Sequence, residues 1–336
     1  MARWSKPWGS RPAGGTGGHE QVADRTCERR GQAEVLAGAG SELVSGSGFA
    51  ASFANAGPGE TGVRGRPGLV FIRPPKTAST SVEDMIKSSL GLTAEHLVPD
   101  QTVFHGSADA IAPQHRFVRG HVTWDDAAWM VADRSAWLPI MTIRDPLERT
   151  LSQYRFLRQR GEVRRREGKR QPMFDEVLAR PLRELIVDES SMFYNWTMPV
   201  QTLFLGSPLR GRPPTGPLGD EVRSPACQHW ALCRALERLE RLAWIGIVES
   251  LGRDMQVLAF SQGWPVADTN HSNPTAPVDD ESAAASELDP ALLRLLANRL
   301  AADYVLLECA REIAAERYGE MVETMGIAAS RRNGRA

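Results

Sequence analysis

The sequence predicts an α/β fold, a mostly parallel central sheet flanked by helices, and three observations predict it. From Gly68 onward, short runs of branched and aromatic residues read as buried strands. Between them lie stretches with apolar residues on one helical face, opened by capping residues. The two kinds of segment alternate along the chain, which is the pattern of a parallel sheet.

Before that region, residues 1–67 hold 14 of the 30 glycines, with much serine and alanine and little aliphatic periodicity. Such a segment buries too little apolar surface to offset its ordering entropy. The expected organisation is a low-complexity, disordered segment 1–67, a folded domain 68–325 and a short basic tail 326–336.

The first strand is Leu69–Ile72, closed by Pro74 and Pro75. A helix follows near Thr80, where Glu83 would complete a capping box. Val82, Met85, Ile86 and Leu90 share its apolar face, and Gly91 suits its end. A second strand is expected over Phe117–Val122, and a third over "WLPIMTI", 137–143. Asp145 can cap the next helix with Pro146 at its first position and Glu148 as the box partner. Its core stripe is Leu147, Leu151 and Tyr154. A Pro/Gly loop at 207–226 and a helix near 229–242 lead to the strand "AWIGIV". Asp289 and Pro290 then open one long helix with Leu292, Leu296, Leu300, Tyr304 and Leu307 on its buried face.

The whole-chain charge of −1 implies no polyanionic partner by itself. The four cysteines contain no CxxC pair, which argues against a zinc ribbon. Cys227 and Cys233 are near enough in sequence to bridge in an oxidising compartment, and reduced thiols suit them equally. No apolar run reaches the roughly 20 residues of a membrane helix, and the first residues lack a hydrophobic signal core. The reading is a soluble chain of open localisation. "NWT" at Asn195 and "NHS" at Asn270 are sequons short enough to arise by chance.

Chemistry concentrates first in "RPPKTASTS", 73–81. A strand, a tight loop and a helix N-terminus present outward N–H groups and the positive end of a dipole. Lys76 adds a charge, and Thr77, Ser79, Thr80 and Ser81 add hydroxyls around Ala78. This suits a phosphate; a loop whose hydroxyls only cap the helix is the plain alternative. It is not a Walker A loop, because Lys76 precedes the hydroxyls with no glycine run before it, and nothing is arranged for magnesium. Arg144 at a strand end and Ser152, two helical turns on, could hold a second phosphate, with an Arg–Asp salt bridge as the alternative. His121, after Gly120 at a strand end, could be a general base or a structural histidine. Residues 155–170 hold eight basic and two acidic side chains, either a solvated face or the footprint of an acidic partner. Without interleaved aromatics, nucleic acid is poorly supported.

Together "PKTASTS", "RGHVTW" and "IRDPLERTLSQYRFLR", in this order, resemble the carbohydrate sulfotransferases that use 3′-phosphoadenosine-5′-phosphosulfate, nearest the heparan sulfate and uronyl 2-O-sulfotransferase branch. The resemblance extends over roughly 68–318. It implies a P-loop-like three-layer fold of sulfotransferase type, with that sulfate donor as co-substrate and no metal. It further implies that Lys76, Thr77, Ala78, Ser79, Thr80 and Ser81 bind the 5′-phosphosulfate end, and that Arg144 and Ser152 bind the 3′-phosphate. His121 would be the base, Lys76 would assist the leaving oxygen, and Arg73, Arg164, Arg165 and Arg170 would meet an acidic glycan or another hydroxylated acceptor. Animal members sit in the Golgi membrane, whereas this chain shows no anchor and few of that branch's cysteines. The donor-closing loop expected near Asn270–Thr275 matches poorly. A small-molecule kinase with an unorthodox phosphate loop and a non-catalytic glycan-binding protein are the competing readings. The presence of both Lys76 and His121 argues against the latter.

Overall fold

The structure is a computed structural model that describes residues 68–98, 111, 114–131, 137–206, 223–264 and 288–333. The segment 1–67, most of the Pro/Gly loop and the loop around Asn270–Thr275 lie outside the described residues.

Four strands form one sheet: β1 (Gly68–Ile72), β2 (Phe117–Val118), β3 (Trp137–Ile143) and β4 (Trp244–Ile247). Their order is β2-β1-β3-β4, and every pairing is parallel. Parallel strands need both faces covered, which is why they read as continuous apolar runs. Leu69, Phe71, Phe117, Ile140 and Trp244 point to one face. There they meet Val82 and Ile86 of α1 (Ser79–Leu90) and Met255 and Leu258 of a later helix, Leu251–Gln262. Val70, Ile72, Val118, Met141, Ile143, Ile245 and Ile247 fill the other face.

That second face is covered by α2 (Trp124–Met130), by helices Val200–Gly206 and Pro225–Leu239, and by the first half of the C-terminal helix. Helix, sheet and helix make the expected three layers. In chain order the helices after α2 are α3 (Pro146–Arg166), α4 (Pro172–Ala179), α5 (Leu182–Val187), α6 (Val200–Gly206), α7 (Pro225–Leu239), α8 (Leu251–Gln262), α9 (Pro290–Arg299) and α10 (Ala301–Asn333). A separate cluster unites α3, α4, α5 and α9 through Leu151, Tyr154, Leu157, Val177, Ile186 and Leu296.

Several elements differ from the sequence reading for visible reasons. The second strand stops at Val118, because Gly120 takes φ 143 and turns the chain out of the sheet. The C-terminal helix is two helices, broken at Leu300, yet Leu292, Leu296, Leu300 and Leu307 are buried as expected. Asp145 does cap α3, accepting the Glu148 N–H at 3.0 Å. Its own N–H, however, goes to Glu249 Oε1 at 3.0 Å, so Glu148 completes no box. Cys227 and Cys233 form no bridge to each other. Both lie on α7, where six residues separate their Cα atoms by roughly 9 Å, beyond disulfide reach. Asn195 is buried and accepts a hydrogen bond from Arg223, so the folded chain has no room for a glycan there. No described helix is long and apolar enough to cross a membrane.

Candidate active site

Three neighbouring parallel strands, β2, β1 and β3, release the chain at one sheet edge, their C-terminal ends. The first turns after them carry His121, Lys76 and Arg144. In an open α/β sheet this edge is where ligands bind.

The turn after β1 is built around two left-handed residues that are not glycine, Lys76 at φ 69 and Ala78 at φ 53. Such backbone costs on the order of 1–3 kcal/mol per residue and persists where function or packing demands it. Alternating hand turns successive N–H groups inward to form an anion nest. Ala78 is the N-cap of α1 and supplies no side-chain hydrogen bond, and no acidic residue occupies the first turn. The N–H groups of that turn are therefore offered outward. The capping box expected from Thr80 and Glu83 does not form, because the helix begins at Ser79.

The hydroxyls divide into two sets. Thr77 is fully buried; its Oγ1 donates to the Pro74 carbonyl at 2.8 Å and accepts from Thr142 Oγ1 at 2.9 Å. It locks the turn onto β3, so what Thr77 can offer an anion is its backbone N–H. Ser79 Oγ and Thr80 Oγ1 accept from Arg73, from Nε at 2.7 Å and Nη2 at 3.2 Å. Ser81 is half-buried one residue further along α1.

Lys76 Nζ lies 4.4 Å from the centre of the Phe156 ring on α3. Burial, and secondly the Arg144 charge, hold its amine below the usual lysine range. Arg144 reaches the Lys76 carbonyl with Nη1 at 3.4 Å and pairs with Glu148 at 3.8 Å. Glu148, Ser152 and Phe156 follow one another at four-residue spacing on α3 and so share a face. That face meets the Lys76 turn at Phe156 and Arg144 at Glu148, which places Ser152 between the two contacts.

His121 Nδ1 is 2.9 Å from the carbonyl oxygen of Arg73. A carbonyl only accepts, so Nδ1 carries the proton and Nε2 is the basic nitrogen. The edge of Phe204 meets the same ring, with centroids 6.5 Å apart. The imidazole thus stands against the residue that opens the Lys76 turn.

Arg164, Arg165 and Arg170 are not brought to this crevice. Arg164 and Arg165 stand eight and nine residues beyond Phe156, roughly 12 Å or more along the axis. Arg164 donates to Gln171, Arg165 pairs with Glu162 and Arg170 pairs with Asp175, all at the surface. Sequence reading missed three contributors. Phe156, under the lysine, was legible only as a position one turn after Ser152. Glu83, taken for a cap, is a buried carboxylate that pairs with Arg73, Lys87 and Arg119. Burial would raise its carboxyl, but hydrogen bonding to Lys87 and the charge of Arg119 hold it below the usual range. Gln201, whose side-chain amide bonds the main-chain N–H and carbonyl of Arg144, gave no signal at all.

A family model described as "Sulfotransferase family" matches residues 60–308. The chain belongs to the Sulfotransferase family. Three-layer packing on a parallel sheet agrees with that family. Similar curated sulfotransferases include heparan sulfate 2-O-sulfotransferase 1 of Homo sapiens, 30% identical over 129 residues, and that of Cricetulus griseus, 28% identical over 130 residues. Each alignment covers 33% of this chain and 36% of the relative. The chain thus spans about a third of the length of the curated sulfotransferases it matches. Among the described residues of this chain no group of three or more His, Cys, Asp or Glu side chains could hold a metal ion.

Proposed function

We propose that this sulfotransferase moves a sulfuryl group from 3′-phosphoadenosine-5′-phosphosulfate to a hydroxyl of a uronic-acid-containing glycan. The observation that carries the reading is the 2.9 Å contact between His121 Nδ1 and the Arg73 carbonyl, which puts a basic imidazole nitrogen at the anion-binding turn. The residues present suit such a donor: an uncapped helix N-terminus beside Lys76 for one anionic end, and Arg144 with Ser152 for the other.

In this reading the donor supplies a sulfur bonded to a good leaving oxygen. His121 Nε2 takes the proton from the acceptor hydroxyl as its oxygen bonds to sulfur. The bond from sulfur to the phosphate-bridging oxygen breaks in line, and Lys76 meets the charge that develops on that oxygen. The main-chain N–H groups of Thr77, Ala78 and Ser79, with the hydroxyls of Ser79, Thr80 and Ser81, hold the 5′-phosphate. Arg144 and Ser152 hold the 3′-phosphate. Most of the rate enhancement then comes from placement and fixed charge. The acceptor is an acidic glycan that approaches along the cationic end of α3, where Arg165 and Arg170 are exposed and only loosely paired and Arg164 is half-buried.

The test is transfer of radiolabelled sulfate from the donor to a panel of uronic-acid glycans, neutral glycans and small alcohols. Label on a uronic-acid glycan, unaffected by chelator, is the expected result. No transfer to any acceptor, or magnesium-dependent phosphate transfer from a nucleoside triphosphate, would overturn it.

A further inference from the structure

All three kinds of guanidinium nitrogen on Arg73 are committed inside the site. Nε donates to Ser79 Oγ at 2.7 Å, Nη2 to Thr80 Oγ1 at 3.2 Å, and Nη1 to Glu83 Oε2 at 3.1 Å. The side chain of Glu83 is 4% exposed and stays fixed by Lys87 at 2.5 Å and by Arg119. A planar fork held at three points keeps its orientation, with one further N–H left on each Nη.

A hydroxyl has one hydrogen and two lone pairs. When Ser79 and Thr80 each accept from the Arg73 cation, one lone pair on each is taken. The single O–H of each is then directed away from Arg73, toward the mouth of the helix. Donation from a cation also polarises the oxygen and strengthens its O–H as a donor.

We propose that Arg73 is a positioning residue of the donor loop, set by Glu83, that aims the Ser79 and Thr80 hydroxyls at the bound phosphate. This rests on the sulfuryl-transfer reading above and deepens it. The same residue's carbonyl holds His121, so one residue sets the orientation of both the phosphate donors and the base.

The experiment is a double-mutant cycle on the full chain using Arg73→Ala and the pair Ser79→Ala with Thr80→Ala. Calorimetry with 3′-phosphoadenosine-5′-phosphate gives donor-site affinity, and steady-state kinetics gives KM for donor and acceptor separately. Arg73→Ala is expected to weaken the nucleotide by about tenfold and to cost little more once both hydroxyls are gone. Glu83→Gln should move the same quantities in the same direction by less. If Arg73→Ala does not fold, Arg73→Lys serves, since one ammonium cannot span both hydroxyls and the carboxylate. A rise in acceptor KM with unchanged nucleotide affinity, or full additivity in the cycle, overturns the proposal. Failure of the unaltered protein to bind the nucleotide sinks the functional reading itself, a separate outcome.

Discussion

The side chain of Gln201 grips the backbone of Arg144 from both sides. Its Oε1 accepts the Arg144 N–H at 2.8 Å, and its Nε2 donates to the Arg144 carbonyl at 2.9 Å. An amide side chain thus does what a neighbouring strand would do at the end of β3, and it fixes where Arg144 leaves the sheet. Gln201 is itself held, its N–H donating to Asp303 of α10 at 3.2 Å.

Gln201→Ala should therefore act on the site as well as on the fold. Two backbone groups beside a fully buried side chain lose their partners, at about 1–3 kcal/mol for each one left dry. Urea unfolding is expected to show a stability loss of about 2–4 kcal/mol, and calorimetry a weaker grip on 3′-phosphoadenosine-5′-phosphate. Gln201→Glu keeps the acceptor but loses the donor and buries a carboxyl beside Asp303, so it should lose at least as much. Unchanged nucleotide affinity in both variants would detach Gln201 from Arg144 function.

Replacement of His121 separates chemistry from binding. His121→Ala is expected to lower kcat by about 10²–10⁴-fold and to leave nucleotide affinity near that of the unaltered protein. Sulfate-transfer kinetics beside calorimetry reads both quantities. Turnover within a fewfold of normal would mean that another group takes the proton.

Lys76 gives a pH signature. Burial and then the Arg144 charge lower its pKa, so the ammonium is lost at a lower pH than for an ordinary lysine. Turnover that needs the cation is complete below the lowered pKa and falls as pH rises through it. The folded state binds its proton more weakly than the unfolded chain does, so Lys76 adds to stability as pH rises through the same window. Activity and stability should thus move in opposite directions there. Lys76→Arg, which keeps its charge, should lack this alkaline limb in a pH–rate profile; an identical limb in both proteins would assign it to another group.

Deep beneath the site, Arg149 and Asp303 are both fully buried, and burial pushes the Arg149 guanidinium down to about 10. Arg149 also donates to the Trp196 carbonyl at 2.6 Å. Arg149→Met leaves Asp303 without its counter-charge, and thermal or urea unfolding should show about 3–5 kcal/mol lost. Adding Asp303→Asn to Arg149→Met should restore part of it. Strict additivity would show that the two do not interact.

Local sequence was a good guide wherever a few adjacent residues set the outcome. The span 137–143 is β3, Asp145 and Pro146 open α3, and Gly91 ends α1 at φ 61. Strand periodicity and cap chemistry act over one or two turns, so they leave a readable pattern. The Lys76 turn, Arg144 and His121 were legible for the same reason, since each follows an apolar strand.

By itself, the sequence determined an alternating α/β chain with a lysine- and hydroxyl-bearing turn after its first strand, because apolar period and cap residues are local properties. Only the tertiary structure decided how that turn is wired: Thr77 inward to Thr142, Arg73 across to Ser79 and Thr80, Glu83 to Arg119, Gln201 to Arg144. Most of those partners lie 36 to 65 residues apart. The physical reason is strand order: β2, β1 and β3 become neighbours through crossovers, and their ends meet side chains that nothing in the intervening sequence announces.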